Sequence, residues 1–260
     1  MTPLVPALMY HDVIAERDWD ASGFPGPAAA HYKLERGEFE RQIERIVSMG
    51  LRTQLVGSQV ATQPGFMLTF DDGGSSACGV GEWLAARGLH AHFFITTGRI
   101  GTRGFVTASD IRDLHAQGHV VGSHSHTHPA NIARLPAPEL AGQWRRSAET
   151  LADILATPTR VASIPGGFYS DAVAHAAAAT GIGVLFTSEP TLRTWHVARC
   201  MLAGRFAIWR NTTLATVLGL ASGRGMARSG QWLAWNAKKP LKRWLGPLYA
   251  GVRGRVLGDA

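Results

Sequence analysis

Only two cysteines, Cys78 and Cys200, occur in 260 residues. Their scarcity excludes a disulfide framework and leaves at most one bridge. No stretch approaches the roughly 18 uninterrupted apolar residues of a membrane span. The opening MTPLVPALMYHDV has neither a basic start nor a long apolar run. It is expected to be an early strand rather than a signal peptide, in a chain that stays cytoplasmic. Internal repeats and low-complexity linkers are missing as well. Acidic residues are scarce in one region only. From 221 to 260 there are eight basic residues and one acid, Asp259, whereas the whole chain carries a net +7. Residues 1–220 are therefore balanced, and the basic character belongs to the tail. Two parts are expected: a main domain over 1–220 and a basic, Trp-containing extension over 221–260.

At 45% hydrophobic residues the chain can bury a substantial core, which suits one large α/β domain. Strand-like and helix-like segments alternate. PALMYHDV (6–13), GFMLTF (65–70), HAHFFITTG (90–98), HVVGS, RVASIP, GIGVLF and GRFAIW read as strands. Phe39, Ile43, Ile46 and Val47 share a helical face that Gly50 ends. GEWLAARG reads as a helix closed by Gly88, and residues 107–118 as a helix begun by a capping box of Thr107 and Asp110. APELAGQWRRSAETLADILA is a long helix, and the alanine-rich run 171–180 another. Repeated β-then-α units predict a mainly parallel sheet, closed or nearly closed into a barrel. In such barrels chemistry gathers at the C-terminal ends of the strands. The stretch 15–31, rich in glycine, proline and alanine, reads as a long loop suited to a lid.

Polar clusters follow three of these strands. His11 and Asp12 follow the first, Asp71 and Asp72 follow MLTF, and GSHSHTHP (122–129) follows HVVGS. Histidine is the commonest metal-ligating side chain. On an extended strand, residues i and i+4 lie roughly 13 Å apart, whereas in a helical turn they come within about 6 Å. The strand has run its usual length by His124, and Pro129 favours an extended His128 over a long helix. A tight turn bringing His124 and His128 together is the expected geometry. Asp71 and Asp72, if extended, point in different directions and would do different work. One completes a metal site and the other stands by as a general base. Gly73 and Gly74 permit a sharp turn and close approach of a substrate. Two histidines and a carboxylate describe a hydrolytic zinc site and equally a non-haem iron site.

TFDDG resembles the first motif of the polysaccharide deacetylases, the NodB-homology carbohydrate esterase family 4. HSHTH with Pro129 resembles its second. AHFFITTG, LHAQGHVVGSHSHTHP and LMYHDV are similar to the stretches flanking those motifs, so the resemblance runs from about residue 5 to 215. It implies a distorted (β/α) barrel and a divalent metal ion, zinc first among them. It implies Asp71 as catalytic base and Asp72, His124 and His128 as ligands, with His126 a bystander. The substrate implied is an acetylated sugar of a polysaccharide or glycan precursor. The later motifs diverge. Where the family has Arg-x-Pro-aromatic-Gly, this chain has SIPGG. Ser163 replaces the arginine that usually orients the base, and Gly166 replaces the aromatic residue. Pro165, Gly166 and Gly167 remain as the implied substrate and oxyanion segment. Neither the fourth motif nor the Leu-x-His of the fifth is recognisable. The family's usual general acid is either missing or supplied from elsewhere, with His11, His196 and Glu189 as candidates.

Other readings are an O-acetyl esterase and a non-catalytic glycan-binding protein on the same fold. An amidohydrolase-like barrel fits less well, because its His-x-His pair belongs to an early strand and TFDDG has no place in it. In the tail, Trp232, Trp235, Trp244 and Tyr249 are mixed with basic residues. Such a segment suits either contact with an anionic membrane surface or a helix pair packed on the barrel. No nucleic-acid partner is expected, since no recognition module accompanies the charge.

Overall fold

The structure, a computed structural model, describes residues 5–15, 18–57 and 64–244, with side chains described up to residue 237. Tyr249 and the last basic residues lie outside this range, as does the side chain of Trp244. The chain begins with β1 (Ala7–Tyr10), β2 (Val13–Ile14), α1 (Pro27–Ala30), β3 (Leu34–Glu35), α2 (Arg36–Ser48) and β4 (Arg52–Thr53). β5 (Gly65–Phe70), α3 (Ser76–Ala85), β6 (His92–Ile95), α4 (Ala108–Ala116), β7 (Val120–Ser123) and α5 (Ala137–Leu155) follow. Then come β8 (Val161–Ser163), α6 (Asp171–Ala179), β9 (Val184–Phe186), β10 (Thr194–Val197), β11 (Cys200–Ala203) and β12 (Phe206–Ala207). The helices α7 (Leu214–Ser222) and α8 (Ala227–Trp244) end the described chain. No helix among the described residues is long and apolar enough to cross a membrane.

The main sheet runs β10-β11-β9-β8-β7-β6-β5-β1-β12, with β4 also on β5. Its pairs are parallel apart from the antiparallel β10–β11 hairpin. The sheet is therefore mixed, with a hairpin the sequence pattern did not reveal. β11 and β12 lie far apart along this path, yet only Gly204 and Arg205 separate them in the chain. Ala203 and Phe206 can be at most about 11 Å apart, so the sheet must curl until its margins approach. The result is the distorted barrel expected from the β-then-α pattern. GRFAIW is correspondingly not one strand. Its first two residues cross the seam, and only Phe206 and Ala207 pair.

Alternation along the strands separates two layers. Leu8 and Tyr10 of β1, and Phe66, Leu68 and Phe70 of β5, face outward into the core shared with the helices. Tyr10, Phe70 and Phe93 stack there at 5.6 and 4.9 Å. α2 covers them because Phe39, Ile43 and Ile46 recur on one face and are buried. The opposite set, Ala7, Met67, Phe94, Phe186 and Ala203, packs inside the barrel. The first expected strand is interrupted at His11 and Asp12, which separate β1 from β2. The capping box stands as expected, with Thr107 Oγ1 accepting from Asp110 N and Asp110 Oδ2 accepting from Thr107 N.

Candidate active site

Strand alternation delivers the first functional group. Met67 and Thr69 point into the barrel, and Asp71 continues their row past the end of β5. Asp72 would continue the outward row, but its φ of 76° turns it back. The two carboxylates take different partners, as the sequence suggested, but through a left-handed residue rather than an extended pair. Such backbone conformations cost about 1–3 kcal/mol and gather at functional sites.

Asp72 meets the histidine segment. His124 Nε2 and His128 Nε2 each lie 3.5 Å from Asp72 Oδ1. Ligand atoms of the three residues fall within 4.8 Å of one another, and among the described residues no other group of this kind occurs. The segment 124–128 is a turn, not a helix: Ser125 and His128 have φ of 65° and 54°. His128 is thus left-handed, not extended as the following proline suggested. Its N–H donates to Ser125 Oγ at 3.1 Å, and this local bond holds the chain bent. His126 leaves the cluster and bonds Thr97 Oγ1 through Nδ1 at 3.0 Å.

Asp71 is held by a residue the sequence reading missed. Arg205, fully buried at the barrel seam, donates from Nη1 to Asp71 Oδ1 at 2.7 Å and from Nη2 to Oδ2 at 2.8 Å. Its Nε donates to Thr187 O at 3.1 Å. Burial alone would push the Asp71 carboxyl up. The charge of Arg205 and its hydrogen bond, joined by His124 and His11 where these carry a proton, outweigh it and hold the pKa at about 2. Asp72 is likewise held well below the ordinary carboxylate range: burial opposes ionisation, but His124, His11 and His128 outweigh it.

Ser163, the residue in the arginine's sequence position, joins the two halves. Its hydroxyl donates to Asp71 Oδ1 at 3.0 Å and sits 2.6 Å from His124 Nδ1. A hydroxyl has one proton. With that proton on the ionised Asp71, His124 Nδ1–H must be the donor to Ser163 Oγ. His124 Nε2 then carries a lone pair directed at the Asp72–His128 cluster, the tautomer a metal ligand needs. Burial pushes the His128 imidazole down, although Asp72 opposes this, so it too favours the neutral, ligating form. Ligands about 2.0–2.2 Å from a tetrahedral zinc ion are separated by about 3.4 Å, close to the 3.5 Å seen here. The donor set fits such an ion.

The remaining sequence-derived residues divide. His11 packs on Tyr32 at 4.6 Å, it lies within electrostatic reach of both Asp71 and Asp72, and its buried Nδ1 has no hydrogen-bond partner among the described residues. His196 is exposed on β10 at the sheet margin. Glu189 uses its carbonyl to accept from Arg205 N at 2.9 Å. Pro165, Gly166 and Gly167 form a short turn after β8, with φ of 62° at Gly166 and 68° at Gly167.

The 15–31 loop is fastened rather than loose where it is described. Lys33, 2% exposed, donates from Nζ to the carbonyls of Trp19, Ser22 and Phe24 at 2.5, 2.7 and 2.6 Å. Ser22 Oγ donates to buried Asp12 Oδ1 at 2.6 Å. These bonds put the Phe24 ring 4.8 Å from that of His128. A Cβ on Gly74 would fall 1.9 Å from Asp12 Oδ1. The close approach that Gly74 permits is therefore by Asp12, not by a substrate.

Residues 59–185 match the family profile described as polysaccharide deacetylase. No curated relative matches the sequence significantly. Among solved structures, the chain resembles the Streptococcus pyogenes deacetylase PplD in complex with acetate. The identity is 18% and the TM-score 0.71, over 85% of this chain and all of that one. IcaB from Ammonifex degensii gives 21% and 0.69 over 85% and 98%. A de-N-acetylase from Aggregatibacter actinomycetemcomitans gives 18% and 0.68 over 83% and 99%. At these identities the likeness establishes the shared fold.

Proposed function

We propose that this chain, whose residues 59–185 match the polysaccharide deacetylase profile, hydrolyses the acetyl group from an N-acetylated sugar of a glycan or glycan precursor. The observation that carries the proposal is one linked array. A carboxylate fixed by Arg205 is joined through Ser163 to a His124–His128–Asp72 cluster that can hold a metal ion.

Asp72, His124 and His128 would hold a divalent cation, zinc by preference of the donor set. When bound, that ion would supply Lewis-acid polarisation of the acetamide carbonyl and of water. Hydrolysis also needs one proton removed from water and one delivered to the leaving amine. Asp71 takes the first: it is ionised across the neutral range, and both its oxygens are fixed in place by Arg205. The backbone N–H at Gly166 is assigned to the developing oxyanion, where a preformed donor is worth most. His11 delivers the second proton. Of the three sequence-derived acids it is the one within electrostatic reach of both carboxylates, and its Nδ1 is not committed elsewhere in the described structure. An O-acetyl ester would use the same groups with an alcohol leaving in place of the amine.

The test is acetate release from a panel of N-acetylated and O-acetylated glycans by zinc-loaded protein. Asp71→Asn should abolish release and leave metal content near that of the wild type. His128→Ala should lose the metal, and His126→Ala should keep it. A wild-type protein that binds zinc and glycan but releases no acetate would support the glycan-binding reading instead. Contact with anionic membrane is proposed through the exposed Met226, Trp232 and Leu233 beside basic residues of the extension. Liposome flotation of wild type against a Trp232→Ala/Leu233→Ala protein tests it, equal recovery being the negative result.

A further inference from the structure

The C-terminal extension reaches the Pro165–Gly167 turn that follows Ser163. Arg228, Gln231 and Trp235 recur at i, i+3 and i+7 and therefore share one face of α8. That face is seated on the barrel. Arg228 donates to the carbonyls of Leu220 and Ala221 at 2.8 and 2.9 Å, with its guanidinium 5.7 Å from the Phe206 ring centre. Gln231 Nε2 donates to Ala207 O at 2.7 Å. One turn further on, Trp235 meets the Pro165–Gly167 turn. A Cβ on Gly167 would lie 3.5 Å from Trp235 Cη2 and 3.0 Å from Ser188 Cβ and Oγ. Both side chains thus lie against the face of Gly167 from which a side chain would project.

These neighbours matter because of what the turn is made of. Gly166 and Gly167 are consecutive left-handed residues, and glycine is the residue with the most backbone freedom to lose. The turn's own bonds are few and long: Gly167 N to Ile164 O at 3.3 Å and Tyr169 N to Gly167 O at 3.1 Å. Position 166 has no side chain to anchor it, and a Cβ there would lie 3.0 Å from the Phe168 ring. Anchoring has to come from other elements.

We propose that Trp235 is a positioning residue: packed on Gly167, it restrains the Gly166–Gly167 turn in its donor conformation and makes α8 a working part of the site. The catalytic half of this statement rests on the oxyanion role assigned to the turn above. The restraint itself does not.

The experiment uses the full chain, as wild type, Trp235→Ala and Trp235→Phe. Hydrogen exchange is followed on peptides covering 164–169, and kcat and KM are measured on the best substrate of the glycan panel. Trp235→Ala should speed exchange at 166–167 at least about tenfold while the 67–72 amides stay protected. It should lower kcat about tenfold to a hundredfold with KM and zinc content unchanged, and Trp235→Phe should recover most of both losses. Unchanged exchange in Trp235→Ala overturns the restraint, whatever the turnover. Faster exchange with wild-type kcat overturns the positioning role. If the wild type itself releases no acetate from any panel member, the deacetylase reading falls and the positioning role with it. The exchange arm then still decides whether the turn is restrained by Trp235.

Discussion

Arg205 holds Asp71 from 134 residues away, through two parallel hydrogen bonds of 2.7 and 2.8 Å at the seam of the barrel. The arginine that the third motif lacks at position 163 is supplied by the link between β11 and β12, and the serine left in its place bridges the proposed base and a candidate ligand. A buried charge deprived of its partner costs about 3–5 kcal/mol. Arg205→Met should therefore destabilise the fold by that order, and Asp71→Asn in the same chain should recover part of it. Lysine will not substitute, because a point charge cannot bond both carboxylate oxygens in a plane. The pH dependence is as diagnostic. With Arg205 gone, burial dominates and the Asp71 pKa rises from about 2. The acid limb of kcat/KM should then move up into the measurable range. An acid limb in Arg205→Met at the wild-type position would separate Arg205 from the base.

Ser163→Ala tests the bridge. His124 Nδ1–H would retain only the Ser163 carbonyl at 3.2 Å, a longer bond than the 2.6 Å contact it loses. Partners of this kind typically tune metal affinity by about 10- to 100-fold. Zinc affinity, measured by competition with a chromogenic chelator, should fall within that range. His124→Ala should fall much further. Equal losses in the two variants would mean that Ser163 does more than orient the ring.

Much of this site was legible because its signals are local. Period-two alternation through Met67, Thr69 and Asp71 aims the proposed base, and the i, i+4 spacing of His124 and His128 in a turn pairs the candidate ligands. Arg205 had no local signature. It sits in the apolar run MLAGRFAIW, and its one available cue was that an arginine there, if buried, must have a partner. That partner is revealed only when the sheet curls and brings β12 beside β1. The β10–β11 hairpin was hidden for another reason. Its turn passes through Ala198 with φ of 52°, a position normally flagged by glycine, asparagine or aspartate. Trp235 was visible as an aromatic residue of a basic helix, but no spacing rule could connect it to Gly167.

Lys33→Met tests whether the fastened loop supports the metal site. The substitution keeps the stem's bulk and removes the donor shared by the Trp19, Ser22 and Phe24 carbonyls. Leaving those acceptors unpaired should cost at least about 2 kcal/mol of local stability. Limited proteolysis should then cut within 18–26 much faster than in wild type. Zinc should also dissociate faster, because Phe24 no longer packs on His128. Unchanged cleavage and unchanged zinc release would leave Lys33 without a part in either.

His92 should set part of the acid sensitivity of the fold. It is fully buried on β6, with Nδ1–H donating to Leu68 O and Nε2 accepting from Val56 N–H, both at 3.0 Å. Both ring nitrogens are used by the neutral form. Burial is the main reason its pKa is pushed down from 6.5 to about 4, against the opposing bond to Leu68. The unfolded chain therefore takes up this proton first. The contribution of His92 is complete above pH 6.5 and is lost as pH falls from 6.5 toward 4, by on the order of 3 kcal/mol. His119 is shifted in the same direction by burial, so the comparison must be between proteins and not only between pH values. Urea unfolding of wild type and His92→Gln at pH 7 and pH 4.5 isolates it. Glutamine retains a donor and an acceptor but does not titrate. The wild type should lose more stability between the two pH values than His92→Gln does, and parallel losses would place the acid sensitivity elsewhere.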